Sequence, residues 1–169
     1  MRGVVSSVGC LYQETIVATR VEPAAKDLYE EDPYAWAHDQ AALLRAGRFD
    51  ALDLEHLIEE VEDLAGSMRS AVRSRATTVM AHLLKLQHSP AQNPRLAWRE
   101  TIRTQRTRLL NDLTPSLRRH LRERLPELYA RARHDAEGSL RDHGEDDAAS
   151  ALPTTCPYTL DQITGAWLP

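Results

Sequence analysis

Between Asp53 and Gln87 the chain keeps one apolar face for about nine helical turns. With Val79 set at 0° and roughly 100° per residue, twelve side chains fall within about 60° of a single direction. They are Leu54, Leu57, Ile58, Val61, Leu64, Ala65, Met68, Val72, Ala76, Val79, Leu83 and Leu86. A strand pattern repeats every second residue and cannot do this; a long amphipathic helix does. Asp53 is placed to cap it. The acids Glu55, Glu59, Glu60, Glu62 and Asp63 crowd the end where the helix dipole favours negative charge, and Lys85 sits near the other end. Ser89-Pro90 stops the helix, whose length is on the order of 50 Å. Gly66 is its weak point, costing about 1 kcal/mol relative to Ala and marking a bend or a close crossing.

The rest of the chain reads as an approach to this helix followed by helices folding back along it. A first helix starts at Asp32-Pro33, turns Trp36, Ala37, Leu43 and Leu44 inward, and ends at Ala46-Gly47. A third runs from about Pro94 to Leu113 on Trp98, Ile102, Leu109 and Leu113, its stripe interrupted by Gln105. A fourth starts at Thr114-Pro115, carries Leu117, Leu121, Leu125, Leu128, Tyr129 and Ala132, and should kink or restart at Pro126. Asp142 to Ala151 reads as an acidic loop. The tail holds a short helical turn near Thr159 to Ile163, with Trp167 docking on the bundle. The expected fold is therefore all-α, an antiparallel helical bundle of four to five helices organised on the long helix. Residues 28–169 form one bundle domain and residues 1–27 an N-terminal extension with no sustained period. Within that extension, translation is expected to start later than Met1, at Val21, which the intact mass of the native protein decides.

Several function classes find no support. A net charge of −4 gives no general affinity for nucleic acid. No stretch approaches the ~18 apolar residues of a membrane span, and MRGVVSSVGC is too short and too weakly basic for a secretory signal. The two cysteines, Cys10 and Cys156, have no metal-type spacing. A reduced, cytoplasmic protein is expected, with no cofactor and no metal. There is no glycine-rich phosphate loop, no CxxC and no nucleophile in a local motif.

Three groups of residues could carry chemistry. Arg75 lies inside the apolar stripe and His82 at its edge, two turns apart, so their side chains project the same way about 10 Å apart. A guanidinium and an imidazole so placed can converge on a phosphate, and Arg followed by His several residues later is a loose signature of HEPN-type helical ribonucleases. The plainer reading is a His hydrogen-bonded at a helix interface and an Arg paired with an acid of another helix. The second group is the acidic start of the long helix with His56. Its i, i+4 pairs could supply two ligands, but Glu55, His56 and Glu59 point away from the apolar face, with Glu60 nearer its edge, so a solvated, dipole-favoured face is the better reading. Third, nine arginines against three acids lie between Arg95 and Arg124. Among them Arg99, Arg103 and Arg106 form a stripe able to contact phosphates, or to pair with the acidic start of the long helix, in the same chain or in a second copy.

Four ordered blocks carry a family resemblance: LYEEDPYAWAHDQAALLRAGRFDALDLEHLIEEVEDL, MAHLLKL, LAWRETIRTQR and CPYTLDQI with a final LP. Together they resemble the bacterial domain-of-unknown-function family twenty-nine from Leu28 to Pro169. The family is small, all-helical and without an established activity, so the resemblance implies a fold and leaves the activity open. Its motif positions map onto Trp36, Leu44, Asp53, Leu57, Glu60, His82, Leu83, Lys85, Trp98, Ile102, Cys156 and Pro157; among the polar ones, Glu60 and Lys85 are expected to have a functional or structural role. Leu86 stands where the family pattern has an aromatic. The expected function is a non-enzymatic protein-interaction or regulatory module that pairs with itself through the long helix or with another protein. The alternative is a nucleic-acid-binding or RNA-cleaving helical protein using Arg75 and His82.

Overall fold

The computed structural model describes residues 25–169, with side chains from Leu28 onward. The Val21 start, Cys10 and almost all of the N-terminal extension lie outside the described residues. Eight α-helices follow: α1 Ala25–Glu31, α2 Pro33–Arg45, α3 Leu54–His88, α4 Arg95–Asp112, α5 Pro115–Glu123, α6 Leu125–Asp142, α7 Asp146–Ser150 and α8 Leu160–Thr164, with a 3₁₀ turn at Phe49–Ala51. No strand occurs among the described residues. The chain is all-α and organised on one long helix. It divides into two compact units, one ending at Leu57 and one spanning Ile58–Pro169.

The first unit is built from local signals. Pro33 disfavours helical backbone at Asp32, which ends α1 there. Asp32 then caps α2, its carboxylate accepting from the Ala35 N–H at 3.0 Å. α2 closes at Gly47 with φ 71°, a left-handed conformation that costs glycine little. The Arg48 N–H returns to the Leu43 carbonyl at 3.0 Å and the Gly47 N–H to that of Leu44 at 3.2 Å, a Schellman closure. The inward face differs from expectation. Trp36 and Gln40 are buried, whereas Ala37 and Leu44 are exposed. Gln40 takes the inward place because its side-chain oxygen accepts the Asp53 N–H at 2.9 Å.

In the second unit, α4 runs antiparallel to α3: Trp98 meets Lys85 near the end of α3, and Asp112 meets Arg75 farther back. The helix expected after Thr114 is two. α5 ends at Glu123 and α6 restarts at Leu125, with Pro126 in its first turn, where its missing N–H has no partner to lose. The stretch expected as an acidic loop contains α7. α6 closes on Gly144 at φ 75° in a second Schellman pattern, and the chain re-enters helix with Ala149 buried. α8 opens on a capping box between Thr159 and Gln162. It ends at Gly165, where any Cβ would sit 2.6 Å from the Asp161 carbonyl oxygen.

The core gathers around the second half of α3. Val72, Ala76, Val79, Leu83 and Leu86 are buried as the stripe requires, and Met80, Ala81 and Leu84 on the flanking faces are buried too. Ile102 and Leu109 of α4, Leu121 of α5, Tyr129 and Leu140 of α6 and Ile163 of α8 close over them. Each large aliphatic here contributes roughly 1.5–3 kcal/mol. The first half of the same stripe behaves differently. Ile58 is 58% exposed, Val61 65%, Leu64 60% and Met68 50%. One sequence period thus serves two environments.

Candidate functional site

Arg75 and His82 have separate partners. The Arg75 guanidinium forms an ion pair with Asp112 and donates to the Arg108 carbonyl at 3.4 Å, both on α4. His82 Nδ1–H donates backwards to the Thr78 carbonyl of its own helix at 3.0 Å. That bond fixes the tautomer and leaves Nε2 as the ring's acceptor. Burial pushes the His82 imidazole below its ordinary 6.5 and the Lys85 charge pushes it further, while the Thr78 carbonyl works the other way. Lys85 is half-buried, its Nζ 5.5 Å from the centre of the Trp98 ring, and burial lowers its pKa as well. Glu60 is exposed on the outer part of α3.

The arginine stripe splits by burial. Arg106 is buried in line with Ile102 and Leu109, and its guanidinium is committed to the C-terminal segment. Nε donates to the Ile163 carbonyl at 2.9 Å, and Nη2 donates to those of Gln162 and Trp167 at 2.6 and 2.7 Å. Sequence composition placed this residue with the surface cations. The missed signal is its spacing, four residues after Ile102 and three before Leu109, in the gap attributed to Gln105. Arg103 is exposed and pairs with Glu100 one turn back. Arg99 is exposed and has no ion pair among the described residues.

Arg99 and Arg103 stand on the rim of an apolar groove of about 610 Å³ between α4 and the C-terminal segment, with Leu96, Leu110 and Leu168 among its apolar lining. Leu96 and Leu110 are exposed in it. A second cavity, about 400 Å³, opens between α3 and α6 and has the opposite character. Ser70, Ser74, Thr77 and Thr78 form a hydroxyl face on α3, and Arg73, Glu127, Arg131 and Asp135 surround it. Arg73 pairs with Glu127 at 2.9 Å, and Glu127 also holds Arg124.

In the first unit, a polar cluster anchors the start of α3 and corrects the reading of His56 as part of a solvated face. His56 is buried. Its Nδ1–H donates to Asp53 Oδ2 at 2.6 Å, and its ring stacks on Tyr29 at 3.9 Å between centroids. The Trp36 indole N–H donates to the same carboxylate oxygen at 3.2 Å. Burial raises the Asp53 carboxyl, but the hydrogen bonds from His56 and Trp36 outweigh it and hold the group below its ordinary 3.8. The Asp-x-x-His spacing at a helix start was the available signal, hidden because a helical wheel describes one helix and not what crosses its first turn.

Among the described residues, no group of three or more His, Cys, Asp or Glu side chains could hold a metal ion, and no helix is long and apolar enough to cross a membrane. Cys156 is half-buried, its Sγ 3.4 Å from the Tyr158 carbonyl, and burial raises its thiol. No curated protein and no solved structure matches the chain. The family model described as domain of unknown function DUF29 matches residues 28–168, and the chain belongs to that family.

Proposed function

We propose that the protein is a non-enzymatic protein-interaction module whose contact surface is the first half of α3. The observation that carries this reading is the exposure, at 50% or more, of Ile58, Val61, Leu64 and Met68 on one helix face. A contiguous line of large apolar side chains left open on the surface marks an interaction site. Its spacing supplies the anchors of an amphipathic helix laid into a groove. Glu59, Glu62 and Asp63 around it add negative charge and have no ion pair among the described residues. The alternative of RNA cleavage loses support from the contacts of Arg75 and His82, which go to Asp112 and to a backbone carbonyl.

The test is affinity capture by the wild-type chain beside Val61→Asp/Leu64→Asp, with helicity confirmed for both. A protein retained in stoichiometric amount by the wild type and lost from the variant is expected. Capture that is indifferent to the two substitutions would overturn the reading. Labelled RNA incubated with wild type and His82→Ala tests the alternative; equal inactivity of both is expected.

A further inference from the structure

We infer that the partner of the exposed α3 face is the arginine-rimmed groove of a second copy of the same chain; this rests on the interaction-module reading. Both surfaces are open in one chain: the stripe by the exposure of Ile58, Val61, Leu64 and Met68, the groove by that of Leu96 and Leu110. Neither is satisfied by the other within the molecule, so a contact between them joins two copies.

Their dimensions agree. Ile58 to Met68 spans ten residues of helix, about 15 Å, and Leu96 to Leu110 spans fourteen, about 21 Å, so the stripe fits within the groove. Charge is complementary in part: the groove lining sets Arg99 and Arg103 against one acid, Glu100, and the margin of the stripe carries Glu62, with Arg69 two turns on. On a helical wheel Glu62 lies at the margin of the stripe, about 100° from its centre. A helix seated stripe-down therefore carries Glu62 to the rim where Arg99 and Arg103 stand. Arg99 has no ion pair among the described residues, and Arg103 holds only its exposed helix neighbour Glu100, a pair of little energy that an incoming carboxylate can share.

Area argues for reciprocity. Four side chains of on the order of 100 Å² each cover about half of the ~800 Å² per partner of a stable interface. A twofold dimer in which each copy offers its stripe and receives the other's doubles that, and it closes the assembly where a one-way contact would propagate.

Sedimentation at micromolar concentration tests this with charge reversals on exposed positions, each variant checked for native helicity. Wild type is expected to be dimeric. Glu62→Arg alone, and Arg99→Glu/Arg103→Glu alone, are each expected to weaken the dimer by about tenfold or more. Mixing the two variants restores it, because each stripe then meets a groove of opposite charge. A monomeric wild type overturns the inference, and so does a dimer broken by Glu62→Arg but untouched by the groove variant, which would mean stripe-to-stripe pairing. In either case, stripe-dependent capture of another protein would leave the interaction-module reading standing.

Discussion

Arg106 donates its Nε proton to the carbonyl of Ile163 at 2.9 Å, a bond that ties the middle of α4 to the end of α8 across 57 positions of sequence. With the two further carbonyls it serves, one guanidinium closes the turn that follows α8. Charge-assisted bonds of this kind contribute about 1.5–3 kcal/mol each, though not additively. Arg106→Ala is therefore expected to lower stability by about 3 kcal/mol in urea unfolding. Arg106→Lys should recover less than half of that, because an ammonium lacks the planar fork that serves separate carbonyls. Hydrogen exchange at the α8 amides should rise with both. Unchanged exchange would show that the segment is held by its apolar contacts alone.

The two halves of the α3 stripe should respond oppositely to the same treatment. Leu83→Ala removes a side chain from the closed core and is expected to cost about 2.5–5 kcal/mol. Leu64→Ala, on the same face of the same helix, is expected to change stability by less than about 0.5 kcal/mol in a dilute sample. Chemical denaturation of the two variants under one set of conditions makes the comparison. A large loss at Leu64 would mean that the face is covered in the folded monomer.

Protonation of His82 is opposed by burial and by the charge of Lys85, so its pKa is lower in the folded chain than in the unfolded one. The unfolded state then binds the proton first as pH falls. The stability associated with the neutral imidazole is fully present above the unfolded value of about 6.5 and declines as pH drops from there toward the folded value. His88 adds to the same slope, since burial lowers it too. His82→Gln should flatten the loss of stability below pH ~6.5, and Lys85→Gln should move the His82 titration upward in an NMR experiment. A His82 titration unmoved by Lys85→Gln would remove the electrostatic part of this account.

Asp53 accepts from the side chains of both His56 and Trp36 and from the His56 backbone N–H, and its substitution strands two side-chain donors and one backbone donor at once. Asp53→Ala is expected to destabilise the first unit by about 2–3 kcal/mol, read most directly from the indole N–H resonance of Trp36. For the wild type the sign with pH follows from a carboxyl held below 3.8: the stabilisation is present above that value and is lost as pH falls through the folded pKa. An unshifted Trp36 resonance in the variant would mean that the indole has another acceptor.

The long helix was legible because periodicity is a property of one element. Asp53 and Ser89-Pro90 marked its ends to within a residue, and the stripe marked its face. What periodicity does not encode is how far the neighbours extend. Val61 and Val79 hold equivalent places in the pattern, yet one is open and the other closed, a difference set by which helices reach each of them. Arg106 was misread for a related reason. Charge assigns a residue to the surface by default, and only the carbonyls after Thr159, more than fifty positions away, provide the compensation that lets a guanidinium sit in the core. His56 likewise owes its burial to Tyr29 and Trp36, partners on other helices that a single-helix projection cannot show.

The open half of α3 also bears on the life of the protein in the cell. Chaperones and proteases recognise contiguous apolar side chains, and a single copy displays four of them along one face. With a second copy as the cover, the unpaired fraction falls as the protein accumulates. Lifetime should then rise with the protein's own concentration, so that the stretch which binds also sets how long an unbound copy persists.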